Sequence, residues 1–150
     1  MLGKLDEKQI TDVLTQQITG RLACYHRGEI YVVPLNYVYK NGCIYAHSGP
    51  GKKIKMMRQN PKVCFEVEEI ENIFQWRCVI AWGIFEEITD ADEKEQARQL
   101  LIHRLMPLAS NPKNHPSHGI TADEADIDRR IAPIVYRIRL TKVTGRFEGG

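Results

Sequence analysis

Apolar residues recur along this chain with two different spacings, and the spacing separates helical from extended segments. Near the start, Ile10, Val13, Leu14 and Ile18 follow the spacing of three to four residues that places side chains on one helix face, and Gly20 comes just after them. Similar spacing recurs twice further along. It predicts three helices: Asp6–Thr19, which fills most of an N-terminal segment 1–19, Lys52–Gln59 and Glu93–Leu105.

The remaining regular segments alternate apolar and polar residues and are rich in β-branched and aromatic side chains, which predicts strands. Tight hairpins are expected at Arg27-Gly28 and Asn41-Gly42, the latter because both of its residues tolerate positive φ. Pro34 donates no backbone hydrogen bond, so it predicts an edge, a bulge or a close approach by another group. The predicted strands are Arg21–His26, Glu29–Tyr39, Cys43–His47, Val63–Glu68, Phe74–Ile88 and Ala132–Arg146.

The order of these elements predicts a mainly β fold with flanking helices, in which six antiparallel strands close into a barrel. A chain of 150 residues without internal repeats is expected to form a single domain, 1–150. The stretch 110–125 is rich in Asn, Pro, His and Ser at its start and is predicted to be a loop.

Composition narrows the class of protein. Hydrophobic residues make up 43% and charged residues 27%, as in ordinary globular domains, and no apolar run is long enough to span a membrane. The net charge of +2, with scattered basic residues, argues against a nucleic-acid partner. The charged N-terminus lacks a signal-peptide pattern, so we expect a cytoplasmic protein with no membrane partner.

The cysteines and histidines do not predict a metal site or disulfides. The four cysteines are widely spaced and are expected to be free thiols. His103, His115 and His118 have no suitably spaced acidic or cysteine partner, so a solvated loop is expected there. The acidic run between Glu66 and Glu71 is interpreted as a solvated strand end.

The segment 48–53, with the sequence SGPGKK, opens the second predicted helix. The start of a helix presents unpaired N–H groups, and glycines let an anion approach the backbone. Lys52 and Lys53 are unfavourably placed beside the positive end of the helix dipole unless an anion lies between them. The pattern therefore leaves two interpretations, a phosphate-binding loop or a lysine-rich surface helix.

Six short segments, taken in order, resemble the pyridoxamine 5′-phosphate oxidase-like family of split barrels that bind flavin mononucleotide (FMN), and within it the nitroimidazole-resistance (nitroimidazole reductase-like) branch. The resemblance runs from about Gly20 to Gly145. The segments are Gly20–Ala23, Tyr31–Tyr37, Ile44–Ser48, Gly51–Lys53, Asn60–Glu66 and Trp76–Gly83.

The resemblance implies FMN as the cofactor and a homodimer with two shared FMN sites at the subunit interface. It implies that one strand lies along the isoalloxazine ring, that His47 and Ser48 lie beside the flavin and its ribityl chain, and that a loop holds the phosphate. His47 is the candidate catalytic residue. The implied cofactor-binding residues are Val33, Pro34, Leu35 and Asn36 on the strand, His47 and Ser48, Gly51, Lys52 and Lys53 at the phosphate, and Trp76, Arg77 and Cys78 near the ring.

Two features depart from the true oxidases of that family. Their phosphate loop carries an Arg-Lys pair after a serine, whereas Lys52 and Lys53 follow Gly51 here, and lysine cannot form the bidentate contacts of arginine. The C-terminal tryptophan and arginine signature of their substrate site is not evident in the last strand. We therefore do not predict pyridoxamine phosphate oxidation.

Three functions remain open from the sequence. In the first, an oxidoreductase passes electrons from a nicotinamide nucleotide through FMN to a small acceptor such as a nitroaromatic or quinone. In the second, a non-catalytic module binds flavin, or binds haem with His47 as the axial ligand. In the third, an interaction protein has lost its cofactor. Trp76 and Trp82 fit core or interface positions as well as a flavin site.

Overall fold

The computed structural model describes residues 1–108 and 133–149, which form a mainly β fold with flanking helices. The predicted loop 110–125, including His115 and His118, lies outside these residues. The described helices are α1 (Glu7–Gln16), α2 (Lys52–Gln59) and α3 (Ala91–Leu105). The described strands are β1 (Leu2–Lys4), β2 (Thr19–His26), β3 (Glu29–Asn36), β4 (Val38–Lys40), β5 (Cys43–Ser48), β6 (Lys62–Asn72), β7 (Gln75–Glu87) and β8 (Ile134–Glu148).

All eight strands belong to one antiparallel sheet in the order β3-β2-β6-β7-β8-β5-β4, and β1 also pairs with β8. The two edge strands, β3 and β4, are consecutive in the chain and are separated by Tyr37 alone. The sheet must therefore curl until its edges meet. The pairings of the described strands include none between β3 and β4, so this is a split barrel rather than a closed one.

The eight strands exceed the predicted six because β1 was not predicted and because the segment Glu29–Tyr39 is two strands. Tyr37 is fully buried, and its ring packs edge-on against Phe65 with the ring centroids 4.9 Å apart. Its hydroxyl donates a hydrogen bond of 2.7 Å to the Leu14 carbonyl. Because the Tyr37 side chain is held in the core, β3 ends before it and β4 begins after it. Pro34 lies in the edge strand β3, as predicted.

The N-terminal segment differs more from its prediction. Helix α1 begins after Asp6, whose side chain caps the Gln9 N–H at 2.8 Å, and ends at Gln16 rather than Thr19. Gly20 does not end the helix but lies in β2, where a Cβ atom would come within 2.2 Å of the Phe65 ring. The sequence pattern also missed β1, which adds to β8.

The interior of the curled sheet holds the core. Helix α1 packs against β4, β6, β7 and β8, and α2 packs against β2. None of the described helices is long and apolar enough to cross a membrane. All four cysteines are free thiols, as predicted. The largest core side chains are Tyr37, Tyr136, Phe65, Leu14, Leu22, Ile44, Ile54 and Met57.

The outside of the sheet also carries apolar residues. The register places Val32, Ala23, Cys64 and Trp82 side by side across β3, β2, β6 and β7. Val32 is 57% exposed and Trp82 37% exposed, so these side chains face solvent in the single chain. We call this surface the apolar outer face; Tyr25 and Ile30 extend it along the β2–β3 hairpin, where both are exposed.

Candidate functional site

A cleft of about 230 Å³ lies between the end of edge strand β3 and the end of β5, which belongs to the opposite half of the sheet. We call it the split cleft. Strand β5 leads through the loop 49–51 into α2, and the first turn of α2 forms one side of the cleft. The residues that line it are Thr19, Pro34, Leu35, Asn36, His47, Ser48 and Lys53.

The cleft brings together six of the residues implied by the family resemblance, and it adds Thr19. The Thr19 hydroxyl donates a 2.7 Å hydrogen bond to Asn36 Oδ1, which leaves the Asn36 amide N–H groups for another partner. Thr19 and Asn36 pair across the β2–β3 hairpin. Counting back from the predicted turn at Arg27-Gly28 would have found this pair in the sequence.

The end of β5 supplies the polar floor of the cleft. His47 is half-buried and pairs with Val135 of β8, which fixes its position in the strand. Ser48 is buried, and its hydroxyl donates to the Gly49 carbonyl at 2.8 Å. An imidazole held at the mouth of a cleft can exchange a proton near neutral pH.

The start of α2 is open to an anion. Gly51 occupies the N-cap without a side-chain hydrogen bond, and the first turn contains no acidic residue. A Cβ atom at Gly49 would meet nothing within 4 Å, and one at Gly51 would meet only the Gly49 carbonyl at 4.0 Å. Gly51 has a φ of −161°, which is an extended conformation that any residue can adopt, so the backbone does not require a glycine at this position. The missing side chains instead leave the N–H groups of the first turn accessible.

The structure separates the two lysines of this loop. Lys53 is half-buried and lines the split cleft, and burial lowers the pKa of its ammonium group. Lys52 is exposed, with its Nζ 2.8 Å from Glu29 Oε2 and 4.8 Å from the centroid of the Tyr31 ring. The hydrogen bond to Glu29 raises the pKa of Lys52. Only Lys53 therefore places a cation in the cleft lining.

Other implied residues lie away from the lining. The Val33 side chain packs against the core, and Gly51 contributes backbone at the helix start. Trp76 and Arg77 line a second cleft of about 470 Å³, which we call the tryptophan cleft. Within one chain, the structure therefore does not bring Trp76 and Arg77 to the split cleft.

The tryptophan cleft is rich in carboxylates. Trp76 Nε1 donates to Glu148 Oε2 at 3.1 Å, and Arg77 forms an ion pair with Glu69. Glu71 lines the same cleft. Three carboxylates thus surround one guanidinium and an indole.

Cys78 faces a different group of residues, on the outside of the sheet. Its Sγ lies 3.2 Å from Glu66 Oε2, and burial, together with this hydrogen bond to Glu66, raises the pKa of the thiol to about 12. Such a thiol remains protonated and is a poor nucleophile. Burial and a hydrogen bond to Glu68 raise the pKa of Glu66, while Arg21 pairs with Glu68 at 3.0 Å. The interpretation of Glu66 as part of a solvated strand end was therefore wrong.

Comparison with known proteins agrees with this architecture. The sequence profile of the family described as pyridoxamine 5′-phosphate oxidase matches residues 6–147. An uncharacterized protein of Rhizobium meliloti (strain 1021) is 30% identical over 127 residues, which cover 85% of this chain and 82% of that protein.

Solved structures show the same fold. A FAD-binding protein from Mesorhizobium loti is 33% identical, with a TM-score of 0.79 over 99% of both chains. A putative 5-nitroimidazole antibiotic resistance protein from Bacteroides thetaiotaomicron is 21% identical, with a TM-score of 0.73 over 98% of this chain and 87% of its own. The second likeness concerns the fold alone.

Proposed function

This chain belongs to the pyridoxamine 5′-phosphate oxidase family, and on that premise we propose that it is a homodimeric flavoprotein with FMN in the split cleft. We further propose that it is an oxidoreductase that reduces a small nitroaromatic or quinone-like acceptor with electrons from a nicotinamide nucleotide. The observation that carries the cofactor assignment is Lys53, a half-buried cation that lines the cleft beside an open helix start.

The residues present fit the phosphate end of such a cofactor. Partial burial disfavours the charged form of the Lys53 ammonium group and lowers its pKa. A phosphate at the start of α2 would offset that cost and would accept hydrogen bonds from the free N–H groups of the first turn. Lys52 would add charge at longer range after exchanging its partner Glu29.

The residues at the other end of the cleft fit a flat, polar-edged ring. Pro34 and Leu35 offer apolar surface, and the Asn36 amide offers N–H donors. Because β3 is an edge strand, one row of its backbone groups has no strand partner and is available to the polar edge of a ring.

A bound flavin would supply electron and hydride transfer, and the protein would position the flavin and donate a proton. We assign the proton to His47, because its imidazole lies in the cleft and can donate to an acceptor that gains negative charge. The alternative role for His47 is to hold the ribityl chain. The non-catalytic flavin- or haem-binding module would use the same cleft.

Two observations support the proposed dimer: the small size of the cleft and the apolar outer face. Ligand pockets usually measure roughly 300 to 1,000 Å³, so a cleft of about 230 Å³ is incomplete for a flavin. Alternation along the strands places Pro34 and Trp76 on the same side of the sheet as Val32 and Trp82 of the apolar outer face. A twofold contact on that face would carry Trp76 towards the split cleft of the partner.

Substitution of the two lysines tests the cofactor assignment. We expect Lys53→Ala to weaken FMN binding by roughly tenfold to a hundredfold, because a charge-assisted hydrogen bond to a buried group is lost. Lys52→Ala should have a smaller effect, and the double variant the largest. Riboflavin, which lacks the phosphate, serves as the matched ligand and should bind all variants almost equally.

Titration of each variant with FMN and riboflavin gives the measurement, with circular dichroism as the check on folding. Equal FMN affinity in the double variant and the unsubstituted protein would contradict the phosphate assignment. The absorbance spectrum of the purified protein distinguishes flavin from haem, and anaerobic reduction of a nitroimidazole or quinone distinguishes an enzyme from a binding module.

A further inference from the structure

A second groove, of about 660 Å³, lies along a different face of α2 from the one that carries Lys53. It runs between this helix and the turn of the β2–β3 hairpin. We call it the basic groove, because five of its lining residues are basic: His26, Arg27, Lys52, Lys55 and Arg58.

The positive charge of the basic groove is only partly neutralised. Lys52 pairs with Glu29, and Arg58 pairs with Glu87 at 2.8 Å. Among the described residues, no carboxylate lies within ion-pair distance of Arg27 or Lys55. The groove therefore offers two unneutralised cations on a chain whose net charge is only +2.

The start of α2 connects the basic groove to the split cleft. Lys53 lines the cleft and its neighbour Lys52 lines the groove. A phosphate at this helix start would lie between them, and a second phosphate joined to it would reach over Lys52 into the groove. Met56, although largely buried in the core, forms the apolar base of the groove, and the exposed residues above it are polar or charged.

We propose that the basic groove binds an adenylate, the phosphate-bearing adenosine half of a dinucleotide, next to the phosphate of the flavin. This inference rests on the proposed position of that phosphate at α2. The adenylate can come from the flavin itself, as in FAD, or from the nicotinamide nucleotide. A short groove with few cations fits one or two phosphates better than the repeated charges of a nucleic acid.

The test combines Arg27→Asn with Lys55→Gln. Arg27 has a φ of 49° in its hairpin turn, a conformation that asparagine adopts readily, so the substitution removes charge and keeps the turn. Lys4→Gln combined with Lys40→Gln is the matched control, because both lysines are exposed and line neither the groove nor the split cleft.

Isothermal titration with adenosine diphosphate, FMN, FAD and NADPH gives the readout. We expect the groove variant to bind adenosine diphosphate at least roughly tenfold more weakly than the unsubstituted protein, since contacts to charged groups are lost. FMN affinity should stay within about twofold, because Lys53 and the helix start are unchanged. The control variant should bind all four ligands as the unsubstituted protein does.

Two further outcomes identify the source of the adenylate. If FAD binds more tightly than FMN and the groove variant removes this advantage, the adenylate belongs to the flavin. If FAD has no advantage but the FMN-loaded variant binds NADPH more weakly, it belongs to the nicotinamide nucleotide.

The inference is overturned if adenosine diphosphate does not bind the unsubstituted protein, or if the groove variant binds it unchanged. It is also overturned if only an RNA oligonucleotide binds, with affinity that rises with its length. Failure of FMN to bind would contradict the proposed function. The titration with adenosine diphosphate would still show whether the basic groove binds an adenylate.

Discussion

The split cleft and the tryptophan cleft differ more in charge than in size. The split cleft measures about 230 Å³, and its titratable lining residues are His47 and Lys53. The tryptophan cleft measures about 470 Å³, and its lining has three carboxylates against two cations, the Arg77 guanidinium and the Met1 ammonium. A phosphorylated cofactor carries about two negative charges at neutral pH. The larger cleft would repel it, so charge and hydrogen-bond donors, rather than volume, support the proposed placement of the cofactor in the smaller one.

The two clefts also differ in the surfaces that they offer to a ring system. The split cleft has donors, a cation and the apolar surface of Pro34 and Leu35, but the described residues of its lining include no Trp, Tyr or Phe. The tryptophan cleft has Trp76 and Phe147 but no site for a phosphate. A second copy of the chain that joins the two clefts would combine these properties, and the following predictions test that arrangement.

The largest effect is expected when the contact between copies is broken. Val32→Glu places a carboxylate on the apolar outer face, where burial of an unpaired charge in a contact between copies costs several kcal/mol. We expect the protein to become monomeric at micromolar concentration and its FMN affinity to fall by at least roughly a hundredfold. Light scattering and flavin titration of the same sample measure both quantities.

Leu108→Glu is the control for this prediction, because Leu108 is also exposed but follows α3 and lies on none of the strands that carry that face. This variant should leave unchanged both the molar mass of the assembly, measured by light scattering, and the FMN affinity. A Val32→Glu monomer that still binds FMN with full affinity would show that the two clefts act independently.

His47→Ala sharpens the assignment of chemistry to the split cleft. If His47 donates a proton, acceptor reduction should fall by roughly a hundredfold or more while FMN affinity changes little. His103, an exposed histidine on α3, provides the matched control His103→Ala, which should change neither quantity. The opposite result, weaker binding with unchanged turnover per bound flavin, would assign His47 to the ribityl chain instead.

The smallest effect concerns pH. Burial places the pKa of Lys53 below the ordinary value of 10.5, so its ammonium loses its proton earlier than that of a free lysine as the pH rises. The cofactor phosphate is already fully ionised in this range. We therefore expect FMN affinity to decline several-fold with rising alkaline pH, and to decline less in Lys53→Arg, since arginine stays charged.

Fluorescence titrations over this pH range measure the effect, and riboflavin provides the reference curve. Parallel FMN curves for Lys53 and its arginine variant would remove Lys53 from the phosphate site. A decline that riboflavin shares would point to the ring end of the cleft.

Local turn chemistry accounts for the parts of the fold that were predictable. Arg27-Gly28 and Asn41-Gly42 both take positive φ values, at 49° and 80° and at 50° and 75°, as their hairpins require. Once these turns are placed, the pairing of residues along each hairpin follows by counting. The helix Lys52–Gln59 was also predicted with its correct bounds, because Pro61 follows it.

Long-range contacts account for what was missed. The break at Tyr37 depends on Phe65 and Leu14, which are distant in sequence, and β1 exists because β8 offers it a partner. The different positions of Lys52 and Lys53 could be predicted in part from the sequence of α2. Ile54, Met56 and Met57 form the buried side of α2. Lys53 lies between Met56 and Met57 around the helix, whereas Lys52 lies beyond Met56 towards solvent.

Strand β8 has a consequence for the order in which the molecule is assembled. It pairs with β7 on one side and β5 on the other, and it also holds β1. A chain emerging from the ribosome makes β4 and β5 early, but this hairpin has no partner in the rest of the sheet until β8 has been synthesised. His47 and Ser48 lie on β5, so one wall of the split cleft is held in place only after the last strand docks. Until then the apolar residues of β4 and β5 that later line the barrel lack their β8 partners, and we expect slow docking of β8 to favour aggregation.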